Sequence, residues 1–356
     1  MKKMIFSIAI ILFHSYTFCQ SNLNHKIYIS ETGSEHPVKT QFASTSVLLD
    51  AALNSLNSLN SLIKKENYRN KITSFNNPTS SDMGFNLEVE IQTAIKPILA
   101  KAKNTNTGKF AEIVSALVNN PAKMQLQKTT FGTGTVFNTV LSLVGGLAVN
   151  EKNISRQDLD SFMYTLSKYF VQYEKLHQAN LSFDQNIDKL NLKLQELQFD
   201  IREYMLDLIT IINKNVQRSQ LKQKSLEELL LKYLDNTVLD TLLTQEKIDA
   251  VYGNTVIRYP GDGIKTAKEI THNIQKLFNE YQKIYTANYN EIKAILSSSK
   301  TLGKNINLKQ VDASVKELDE LYKESKDADI LNLRLNTLTE RLKQLVVTEQ
   351  LAKKHT

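Results

Sequence analysis

Between residues 159 and 211, steps of three and four alternate through Leu159, Phe162, Leu166, Tyr169, Tyr173, Leu176, Asn180, Phe183, Ile187, Leu190, Leu194, Leu197, Ile201, Tyr204, Leu208 and Ile211. Only Asn180 leaves the apolar series. A seven-residue repeat held this long predicts an α-helix packed along a coiled-coil seam, with these positions as a and d. Ser155, with Asp158 three residues on, gives the helix an N-terminal cap. No glycine or proline occurs from residue 151 to 252. A helix over 155–221 would be roughly 100 Å long at 1.5 Å per residue. Asn180 falls at an a position, where an amide fixes register at a cost in stability. It bonds a neighbouring backbone group or water, or else pairs with Asn288 in the later series Ala267, Ile270, Ile274, Leu277, Tyr281, Ile284, Asn288.

The N-terminus reads as a secretory signal peptide over residues 1–19. Lys2 and Lys3 supply the basic region, residues 5–13 the apolar run, and Thr17-Phe18-Cys19 the cleavage site before Gln20. The mature chain is then expected in the periplasm or outside the cell. Bulky Phe18 argues against acylation of Cys19 as a lipoprotein. Cys19 is the single cysteine, so an exported chain has no disulfides and must rest on helix packing. Losing Lys2 and Lys3 lowers the formal charge from +7 to +5. Acid and base alternate along the helices, as in Glu228/Lys232, Lys265/Glu269 and Asp319/Lys323, which describes solvated surfaces rather than a nucleic-acid footprint.

Residues 20–150 are expected to form a smaller helical head. Residues 21–41 read as an extended lead-in, with at most one strand at 26–30. Ser46 caps a helix to about Glu66, and Pro97 kinks another over 85–103 that could begin as a strand at 87–91. A short helix follows at 110–118. Residues 129–150 carry no charge. Within them Phe131, Val136, Phe137, Val140, Leu141, Leu143, Val144, Gly145, Gly146 and Leu147 make a glycine-rich apolar segment over 131–149. It could span a membrane weakly, or plug one end of the bundle as a helix or hairpin. Beyond the long helix, further helices are expected over 226–251, 264–299 and 308–352, the last with a stutter or kink across 323–330. The fold class is therefore all-α: an elongated antiparallel bundle over 151–356, with the head near the N-terminal part.

Chemistry is harder to find. The run 260–266 (Pro-Gly-Asp-Gly-Ile-Lys-Thr) lacks the Gly-Lys-Ser/Thr spacing of a phosphate loop. His25, His36, His177, His272 and His355 have no companions at metal-ligand spacing, and no nucleophile elbow or zinc-protease motif occurs. No catalytic, cofactor-binding or metal residue is assigned. The expected function is a non-enzymatic exported scaffold or adaptor whose helices bind protein partners, among them further copies of itself. No cofactor, nucleic acid or small-molecule substrate is indicated. The uncharged segment beside a rod-length helix resembles, in layout alone, the α-helical pore-forming toxins. That resemblance covers 131–149 and the helices after it, implies membrane insertion, and carries over no site residue.

Overall fold

A computed structural model of the chain describes residues 37–101, 155–244 and 257–354. The fold is all-α, with no strand among the described residues. Seven principal helices are α1 (Pro37–Ile63), α2 (Glu66–Ser74), α3 (Leu87–Lys101), α4 (Arg156–Ile212), α5 (Gly263–Ser299), α6 (Leu308–Lys326) and α7 (Ala328–Lys354). The readings at 1–19, 26–30, 110–118 and 131–149 lie outside the described residues.

The long helix α4 starts where its sequence asks. Ser155 accepts from Asp158 N–H, and the Asp158 carboxylate takes the Ser155 N–H in return, closing a capping box. It spans 57 residues, about 85 Å. It stops at Ile212 rather than near 221, because the Asn213 side chain accepts from Asn215 N–H and pulls the chain into a turn. The helix expected over 226–251 is likewise interrupted. A turn at Leu226–Leu229 passes into a π-helical stretch at Leu230–Leu234, and Asp235 then caps a new short helix at Asn236–Leu242.

The helix α5 organises the packing. Along one side it runs antiparallel to α4, through Gln172–Ser298, Ala179–Asn288, Lys193–Glu280 and Tyr204–Gly263. Along another it carries α6 and α7 as one broken helix, antiparallel again, through Lys293–Asp319, Thr286–Tyr322, Tyr281–Ser325 and Gln275–Thr339. The break falls at Asp327, the one described non-glycine residue at positive φ (24°). It lies inside the stretch where the two apolar series lose phase. Ser325 carbonyl, at the last turn of α6, accepts from the Tyr281 hydroxyl at 2.7 Å, which holds the broken end against α5.

The elements placed in a separate head by their sequence pattern share this core. The helix α1 packs along α7 and α5, α2 against α6, and α3 against α4. It begins at Pro37, whose fixed φ suits a first helical turn. Ser46, expected as its cap, sits inside it and donates to Leu234 carbonyl at 2.6 Å. Leu53, Leu56, Leu59 and Leu62 are all buried, so the Leu-Asn-Ser triplets wind through a helix covered on several sides. Pro97 lies within α3, and residues 87–91 are helical. Gly84 joins the loop after α2 to the start of α6: its φ is +81°, its carbonyl accepts from Asn307 N–H at 2.7 Å, and a Cβ there would lie 2.6 Å from Val311.

Candidate helix-binding surface

The seam of α4 is turned into the protein. Every seam side chain from Phe162 to Leu208 is buried, Asn180 among them, and Ile211 is half-buried against the core. Leu159 lies in α4, but its side chain is outside the described set. The seam therefore serves the chain's own helices, and an external partner must use another face.

The two asparagines meet through backbone rather than through each other. Asn180 Nδ2 donates to Ile72 carbonyl at 2.9 Å, which satisfies one of the free carbonyls at the end of α2. Asn288 Nδ2 donates to Ala179 carbonyl at 3.0 Å, and its Oδ1 accepts from the Tyr68 hydroxyl at 2.8 Å. Three helices are thus locked in one register at one level. Tyr68, Phe183, Tyr281 and Tyr285 pack their rings around this layer with centroids 4.5–5.7 Å apart. On the same face of α4, Tyr173 Oη, His177 Nε2 and Asn180 Oδ1 are buried with no protein partner.

These buried phenols have a measurable consequence. Burial, reinforced by the neighbouring phenol of Tyr285, pushes Tyr68 and Tyr281 well above the ordinary tyrosine value of about 10. Burial and then Tyr259 raise Tyr204 in the same way. Above about pH 10 the folded chain then holds protons that the unfolded chain has released. The stability these groups lend is complete below that pH and is lost as pH rises beyond it. An alkaline titration followed at 295 nm should show the buried phenols ionising only in one cooperative step with loss of helix. Reversible ionisation of all tyrosines near pH 10 with native circular dichroism would contradict the packing.

Three features stand out on the outer surface. A cleft of about 570 Å³ between α4 and the start of α5 is lined by Asp200, Glu203, Asp207, Asp262 and Glu269. Arg218 binds Glu203 and Asp207, and Lys265 lies near Glu269, so much of its charge is taken up locally. A shallow groove between α1 and α4 is lined by the amides of Asn57, Asn60, Asn191, Gln195 and Gln198, with Lys64, Lys65 and Arg69 at one end. The third is the outer face of α7. Its inner side buries Leu331, Leu338 and Leu345, while the opposite side exposes Ile330 (43%), Leu333 (51%), Val347 (48%) and Leu351 (47%).

These four residues, with Thr337, Glu340 and Gln344, follow the spacing 330, 333, 337, 340, 344, 347, 351. That is a second seven-residue repeat on the helix, and it faces away from the core. Reading the sequence for one apolar face per helix missed it, since the inner leucines already satisfy that pattern. The signal was present: α7 is apolar on two opposite sides, which a helix covered on one side does not need.

Among the described residues no three His, Cys, Asp or Glu side chains are grouped to hold a metal ion, and no helix is long and apolar enough to cross a membrane. His177 is buried and His272 exposed, on different helices. Comparison with protein-family models, with curated proteins and with solved structures found no match.

Proposed function

We propose that the chain is a non-enzymatic exported helical scaffold or adaptor, acting through protein–protein contacts of its helices at the cell envelope. The observation that carries this reading is the outer repeat of α7. Large apolar side chains at coiled-coil spacing lose little in a monomer by being polar, and they gain by being covered with another helix. The signal-like N-terminus supports export, and the interspersed surface charge supports a partner that is protein.

Two measurements test it. A photo-crosslinking residue placed at Leu333 or Val347 in the producing cell should give discrete adducts of defined mass, while one at exposed Lys309 should not. Absence of adducts at both α7 positions would remove the reading. The pore-forming alternative rests on residues 131–149. Purified mature chain should release no dye from liposomes across lipid compositions and pH. Release by wild type that a folded Val140→Asp variant loses would instead establish insertion, since a charge at mid-segment is costly in lipid.

A further inference from the structure

We propose that the groove between α1 and α4 binds an oligosaccharide whose rings carry acetamido groups, a site independent of the outer face of α7.

The groove follows α4 from Ile187 to Arg202, about 22 Å of helix. It encloses about 620 Å³ toward the start of α2 and about 370 Å³ toward Ser225, and Gln195 and Gln198 line both parts. Its floor is apolar, with Leu53, Leu56 and Ile63 from α1 and Ile187 and Leu194 from α4. Its walls are amides. The Leu-Asn-Ser triplets build the wall on α1. Steps of three residues fall about 60° short of a helical turn. The leucines therefore sink into the core, while Asn57 and Asn60 both stay at the groove. Asn191, Gln195 and Gln198 make the facing wall, at steps of four and three along α4.

Most of these amides are unengaged. Asn57 donates to Glu227 at 3.3 Å. Among the described residues, no protein group hydrogen-bonds the side chains of Asn60, Asn191, Gln195 or Gln198. Other amides of the same two helices are tied down, Asn54 to Asp50 and Gln178 to Glu174.

The chemistry of the lining selects the ligand. A free side-chain amide holds a donor and an acceptor side by side in one plane. An acetamido group offers the complement, an N–H and a carbonyl, and its methyl group suits the apolar floor. A sugar ring has an apolar C–H face as well as hydroxyl edges. Phe199, 60% exposed at the α4 rim, presents a flat apolar surface to such a face. Cations do not dominate the site. Arg202 is committed to the carbonyls of Lys222 and Lys224, and Arg69 to Asp184 at 2.7 Å. Glu66 and Glu227 offset Lys64 and Lys65, so a nucleic acid lacks the charge it needs. An extended peptide would need an open strand edge, and a docked helix an unbroken apolar strip; the amide walls provide neither.

The test is saturation-transfer NMR and calorimetry on the purified full chain with chitotetraose, a linear chain of N-acetylglucosamine. An open groove of this kind should give a Kd on the order of 0.1–1 mM, with saturation passing most strongly to the acetamido methyl groups. Cellotetraose, which lacks only the acetamido groups, should bind at least about tenfold more weakly. Acetylated tetraalanine, which carries amides without sugar rings, should not bind. Gln195→Ala and Phe199→Ala, both at exposed positions and checked for native circular dichroism, should each weaken chitotetraose binding about fivefold or more. Gln185→Ala removes an exposed amide of α4 outside the groove and should leave binding unchanged. No binding up to about 10 mM chitotetraose, tenfold above the weakest expected Kd, overturns the proposal. Equal binding of cellotetraose or of the peptide does the same, as does indifference to both Gln195→Ala and Phe199→Ala. None of these results touches the adaptor reading, which is decided by crosslinking at Leu333 and Val347.

Discussion

Leu194→Asp should abolish cooperative folding at physiological temperature. Leu194 is 4% exposed at the middle of α4, in the seam that faces the chain's own core. The substitution removes a buried apolar side chain and asks an unpaired carboxyl to replace it. Together these cost about 4–5 kcal/mol or more, comparable to the whole stability of many domains. Lys189→Asp, on an exposed position of the same helix, should shift stability by no more than about 1 kcal/mol. The adjacent Lys193 makes a poorer control, because its ammonium lies 2.8 Å from Glu280 and an aspartate there would face a like charge. Thermal unfolding by circular dichroism separates the two variants. Equal melting temperatures would show that the seam is not the core.

The second large effect belongs to Asn288. Asn288→Ala leaves the Tyr68 hydroxyl without its acceptor and removes a second donor from the mid-helix Ala179 carbonyl, in a layer where Asn288 itself is 4% exposed. One orphaned buried hydroxyl, a lost bond between helices and a small cavity should cost about 2–4 kcal/mol. Asn180→Leu is expected to lose less, about 1 kcal/mol. It strips Ile72 carbonyl of its donor, but it also removes an Oδ1 that has no protein partner. The sequence alone, which treats an a-position amide as a cost, argued for a gain on Asn180→Leu. The bond to the end of α2 reverses that sign. Calorimetry on Asn288→Ala, Asn180→Leu and Tyr68→Phe orders the three. A wild-type melting temperature for Asn288→Ala would mean that the layer is not closed.

The reasons some features were legible and others were not are physical. The series from Phe162 to Leu208 was readable because one helix buried along one stripe prints its period directly into the sequence. Ser155 and Asp158 were readable because capping is local chemistry. The start of α1 was obscured because Pro37 suits both a loop and a first helical turn, and only the packing of α1 along α7 decides between them. Asp235 and Asn213 end helices through side chains that compete with the backbone, an outcome that turns on tertiary support rather than on propensity. The same limit applied to α7. Both of its apolar sides are present in the sequence, but which of them meets the core depends on where α1 and α5 lie, and that is decided only in three dimensions.

The break at Asp327 has a consequence for that outer repeat. Were α6 and α7 one uninterrupted helix, every residue of the second half would inherit its azimuth from the first at a fixed 100° per residue. One left-handed residue resets that angle, so α7 is rotated about its own axis independently of α6. It acts as an indexing joint. The inner leucines are clocked onto α1 and α5, and by the same turn the repeat from Ile330 to Leu351 is aimed outward.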